Sequence, residues 1–107
     1  MDFKNVEYVR NYDGDTITVN IPEIHPLLGD KIPVRIRGID TEEIRSKSEK
    51  SIEAKFFVEG VMSSANTIDL MDASRGKYFR IVADVIVDGF SLASLLVERG
   101  FAKEVDY

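Results

Sequence analysis

Cysteine is missing from this chain. Its absence excludes disulfides and any metal site built on thiolates. Histidine is almost missing too. His25 is alone, so zinc chemistry resting on several imidazoles is excluded by count. No apolar run is long enough to span a bilayer. The first residues, Met1-Asp2-Phe3-Lys4-Asn5, have neither the basic start nor the apolar stretch of a signal peptide. As given, the chain is expected in the cytoplasm, without a membrane partner; a chain whose signal had been removed would read the same way. There are no repeats and no low-complexity segment. Positive charge is also scarce: 14 Lys and Arg stand against 19 Asp and Glu, a net charge of −5. That is poor footing for a protein that coats nucleic acid, which draws on a basic field. It does not exclude an enzyme that grips one phosphate at a time. A divalent cation held by carboxylates would reverse the local sign.

What remains is a globular composition. The 107 residues are 44% hydrophobic, which suits a single domain over residues 1–107, with one modest core and a monomeric state. Residues 6–12 mix aromatic and branched side chains, as a strand does. Asp13-Gly14 is a tight-turn pair. Residues 16–21 alternate polar and apolar, the pattern of a half-buried strand. Residues 22–31, with Pro22, Pro26 and Gly29, read as a loop. Residues 33–39 alternate again, with Val34 and Ile36 on one face and Arg35 and Arg37 on the other. A charged loop follows from Asp40 to about Glu49. A helix is then predicted to about Ala65, with Ala54, Phe57, Val58, Val61 and Ala65 along one side. Strands are predicted over 67–71 and 78–87, with turns at Arg75-Gly76 and Asp88-Gly89. Ser91 can cap a last helix whose face is Leu92, Leu95 and Leu96, and Gly100 signals its end. Three strands, a helix, two strands and a helix suit a small five-stranded barrel of the OB type.

Three clusters sit on or beside these strands: Asp13-Gly14-Asp15-Thr16, the run from Arg35 to Glu43, and Lys77-Tyr78-Phe79-Arg80. Asp15, Asp40 and the carbonyl of Thr41 are short-stemmed oxygen donors, which a hard cation prefers. Glu43, three residues past Asp40 in a loop, can reach a metal-bound water and act as a base. Arg35 and Arg80 lie on different strands, and the guanidinium fork matches two phosphate oxygens. Each cluster alone has a plainer reading. Asp13-Gly14 can be only a turn, the arginines can be solvated positions on an outer face, and residues 40–49 can be a solvated charged loop. Phe56, Phe57 and Phe79 read as core or strand-face residues, and His25 as a surface residue.

In order and near-family spacing, these motifs resemble the staphylococcal nuclease (thermonuclease) family. The match runs from about residue 6 to 103 and includes the terminal Leu-Leu-Val-Glu-Arg-Gly-Phe-Ala-Lys. The resemblance implies an OB-fold barrel with one helix between strands three and four and another after strand five. It also implies a calcium-dependent endonuclease that hydrolyses phosphodiester bonds of DNA or RNA. By position, Asp15 and Asp40 would hold Ca2+ through carboxylates and Thr41 through its carbonyl. Glu43 would activate or orient water, Arg35 and Arg80 would grip the scissile phosphate, and Lys77 and Tyr78 would lie along the nucleotide. The chain departs from the family in three ways. Glu42 stands where the family usually has proline. The loop at 22–31 is longer. The family's C-terminal helix is absent, since the sequence as given stops at Tyr107. The alternative is a non-catalytic module of the same fold that binds nucleic acid or protein.

Overall fold

The computed structural model describes residues 1–42, 46–76 and 80–105. The strands among them are β1 (Glu7–Asn11), β2 (Thr16–Asn20), β3 (Ile32–Ile36), β4 (Ile39–Asp40), β5 (Ile68–Arg75), β6 (Ile81–Val87), β7 (Phe90–Ser91) and β8 (Lys103–Glu104). The helices are α1 (Pro26–Gly29), α2 (Glu49–Ser63) and α3 (Leu92–Glu98).

Five of the strands make one curled mixed sheet in the order β1-β2-β3-β6-β5, with β7 beside β6. All neighbours in it are antiparallel except β3 and β6, which run parallel. The curl brings β5 round to the segment that leads into β1. Phe3 and Leu70 exchange backbone hydrogen bonds of 2.7 and 2.8 Å, and Val6 N–H donates to the Ile68 carbonyl at 2.8 Å. The architecture is therefore α+β and barrel-like.

Alternation explains the core. In β2, Ile17 and Val19 are fully buried; in β3, Val34 and Ile36 are; in β5 and β6, Leu70, Ala83 and Val85 are. The intervening residues face outward, so the period-two pattern becomes one apolar interior. Val58 and Met62 from α2 and Leu92 and Leu96 from α3 close it. Both helices begin on a serine. Ser48 accepts from Ser51 N–H and Ser91 from Ser94 N–H, which satisfies amides that a helix start leaves open.

Several expectations need correction. The loop at 22–31 holds a helical turn, α1, whose start is capped by His25 Nδ1 accepting from Leu27 N–H at 3.2 Å. Helix α2 ends at Ser63, and Ser64 Oγ donates back to the Gly60 carbonyl. The first of the two late strands runs on to Arg75. A bulge between Met71 and Ser74, with Asp72 at φ 51°, carries it past the point where its alternation breaks. Phe56 is 59% exposed, because Ala54 and Val58 turn α2's inner face away from it. Phe57 instead packs on the core and lies 5.0 Å from the Phe101 ring.

A candidate anion and cation site around Arg35

The Asp13-Gly14 pair does more than turn the chain. Gly14 is buried, and a Cβ there would come within 3.0 Å of Ala54 Cβ and of Thr41 Cγ2. Glycine is favoured by close approach, since a larger residue would make those neighbours shift by a few tenths of an ångström: the link between β1 and β2 lies directly against α2 and the exit of β4. Asn11, itself buried, fastens the same link. Its Nδ2 donates to the Asp13 carbonyl at 3.1 Å and to the Lys55 carbonyl of α2 at 3.0 Å.

This seating delivers Asp15 to the start of β2 in a buried position, 8% exposed. Its carbonyl accepts from Ile36 N–H at 2.9 Å, and its Oδ2 accepts from Thr41 N–H at 3.0 Å. The Thr16 hydroxyl reaches its Oδ1 at 3.3 Å. The Asp15 carboxylate is thus held by the backbone just after β4. Residues far apart in sequence meet here because β3 crosses between β2 and β6 and then runs into β4.

Arg35 sits opposite Thr16 in the β2–β3 register, on the outer face of β3. Its Nη1 donates to the Ile36 carbonyl at 3.1 Å and to the Asp15 carbonyl at 3.4 Å. Its Nη2 lies 3.4 Å from Asp15 Oδ2 and in direct contact with Asp40 Oδ1. One guanidinium nitrogen therefore gathers two carboxylates. The arginine and Asp15 side chains are shielded, at 13% and 11% exposure, while Asp40 is open at 54%. Arg35, Asp15 and Asp40 carry one positive and two negative charges. The point now held by Nη2 is where a hard cation would find two carboxylate oxygens. This donor set fits such an ion, which takes carboxylates together with carbonyls or water. Among the described residues no group of three or more His, Cys, Asp or Glu could hold a metal ion; the carboxylates described at the cluster are those of Asp15 and Asp40.

The predicted residues divide. Arg35, Asp15, Asp40 and Thr41 come together. Glu43, Lys77 and Tyr78, like Phe79 and Tyr107, lie outside the described residues. Arg80 lines a separate cavity of about 510 Å³ with Ile24, Leu28, Ile32, Ala73 and Ile81. None of the Arg35 cluster lines that cavity. Glu42, which stands where the family usually has proline, has a partner of its own: its Oε2 accepts from the hydroxyl of Ser48, the α2 cap.

Two lysines escaped notice in the sequence. Lys103 of β8 pairs across from Asp40 of β4, and Lys50 stands in the first turn of α2. Both line a cavity of about 280 Å³ with Asp40, Thr41, Glu42, Phe101 and Ala102. Nothing local marks Lys50, and Lys103 is marked only as the last residue of the C-terminal run. Only the two-stranded pairing of β4 with β8 brings residue 103 beside residue 40.

No family model matches the chain, and no curated protein matches it.

Proposed function

We propose that this chain is a phosphodiester hydrolase of the staphylococcal nuclease type, cutting DNA or RNA with calcium, on an OB-type barrel. The observation that carries the reading is the convergence of Asp15 and Asp40 on one Arg35 nitrogen. Support for the OB-type barrel comes from the sheet order, which in terms of the five long strands runs first, second, third, fifth, fourth, and from the bonds between β5 and the segment before β1. Bound at Asp15 and Asp40, calcium would polarise a phosphoryl oxygen and favour an attacking hydroxide.

The chain's own residues supply the rest. Arg35, displaced from its carboxylates, can offer two parallel N–H donors to phosphate oxygens, where negative charge grows in the transition state. Thr41 N–H holds Asp15 in place for the cation. Arg80 stands immediately before β6, the strand parallel to β3, and would have to leave its own cavity to join the clamp.

One observation favours the second reading, a binding module without cleavage: Arg80 lines another cavity. Incubating the protein with single-stranded DNA in calcium, and then in excess chelator, separates the two. Cleavage in calcium alone supports the hydrolase. Binding without cleavage in either condition supports the module.

A further inference from the structure

We infer that the cavity beside the Arg35 cluster is a second phosphate subsite, with Lys50 and Lys103 as its binding residues. The inference rests on the nucleic-acid reading above and deepens it. The cavity's two acids are already engaged, Asp40 by Arg35 and Glu42 by Ser48. Its two cations make no ion pair among the described residues. The groups at the cavity without an ion-pair partner among the described residues are thus two ammonium donors, and together they suit an anion. Lys50 also stands in the first turn of a 15-residue helix, where the backbone dipole favours negative charge. A volume of about 280 Å³ takes a phosphate group and leaves no room for a folded partner. Because Asp40 borders both places, the anion is the next phosphate along a strand whose scissile phosphate lies on Arg35. The side chains of Phe101 and Ala102 form an apolar wall for the sugar between them.

The test uses a short phosphorothioate oligothymidylate, which keeps its backbone charge and resists cleavage. Its binding is followed by fluorescence anisotropy in calcium across a salt series. Lys50→Gln with Lys103→Gln is expected to weaken binding about tenfold and to flatten the salt dependence by about 0.7 per lysine on the log–log plot. Lys4→Gln, whose lysine pairs with Asp69 and does not line the cavity, is the control and should bind like wild type. Tight wild-type binding with an unchanged double variant overturns the subsite and leaves the nucleic-acid reading standing. A wild type that fails to bind the oligonucleotide overturns both.

Discussion

Arg35 and Arg37 stand two residues apart, and each lies between two aspartates, yet the structure uses them differently. Arg37 is bound into the fold by oxygens that cannot leave. Its Nη2 donates to the carbonyls of Asp72 at 2.5 Å and Val82 at 3.2 Å and to the Ser74 hydroxyl at 3.3 Å. These contacts span the bulge in β5 and tie it to β6. Its aspartates, Asp84 at 3.3 Å and Asp72 at 3.5 Å, are open to water at 49% and 84%. Arg35 shares such an anchor at Nη1, which donates to the carbonyls of Asp15 and Ile36. It differs at Nη2, which meets the carboxylates of Asp15 and Asp40, the first of them shielded. A carbonyl in a sheet has no other charge to take. A carboxylate pair can exchange a guanidinium for a metal ion. The first arginine meets, at Nη2, groups that a cation can take; the second is a rivet.

The largest expected difference is in activity. Arg35→Ala should lower cleavage of single-stranded DNA by at least about a hundredfold, since a donor aimed at developing charge is commonly worth ~3 kcal/mol. Arg37→Ala should cleave like wild type per folded molecule. Arg80→Ala should fall as far as Arg35→Ala if its side chain swings to the clamp on substrate binding; wild-type rates there would leave Arg35 as the sole phosphate ligand of the pair.

Stability should reverse the order for Arg37. Arg37→Ala leaves the carbonyls of Asp72 and Val82 without that donor, which costs about 2 kcal/mol. Thermal unfolding followed by circular dichroism should show a melting temperature lower by roughly 10 °C. An unchanged melting temperature would mean that the bulge holds itself and that Arg37 is ordinary surface.

Among the aspartates the contrast should be finer. Asp72→Asn removes one partner of an exposed pair and should change stability by no more than about 0.5 kcal/mol in denaturant titration. Asp15→Asn takes a charge from a shielded cluster that also receives the Thr41 N–H, and should cost more. Equal costs would erase the distinction between the two clusters.

The smallest effect lies away from both. Burial raises the Tyr8 hydroxyl above its ordinary pKa of 10.0, and the nearby Glu59 carboxylate adds to it. A folded pKa above the unfolded one favours the protonated folded state. Its contribution is therefore fully present below pH 10 and lost as pH rises through the folded value. Tyr8→Phe should blunt this alkaline loss while leaving the Arg35 and Arg37 contrasts intact.

Much of this could be read in the chain before folding. Alternation placed Val34 and Ile36 inward and both arginines outward, because a strand's side chains can only alternate. The Asp15-to-Arg35 and Asp40 relation was legible from motif order. The different fates of Arg35 and Arg37 were not, since they depend on a bulge in β5 nearly forty residues downstream. The sequence pointed to Gly14 as a turn residue, while its tighter constraint is the surface of α2 and Thr41. The partner of Glu42, Ser48, was not legible, because it is fixed by how α2 starts. Lys50 carried no signal, and Lys103 stood out only as the end of the C-terminal run, for their nearness to Asp40 is a matter of tertiary pairing.

The exchangeable character of the Arg35 cluster is tested most directly by the effect of millimolar calcium on thermal unfolding of wild type, Asp15→Asn and Asp72→Asn, measured side by side. A cation that binds only the folded state raises its melting temperature by mass action. The account predicts that calcium raises wild type and Asp72→Asn alike and leaves Asp15→Asn unmoved. An equal shift in all three proteins, or a shift lost only in Asp72→Asn, would contradict it.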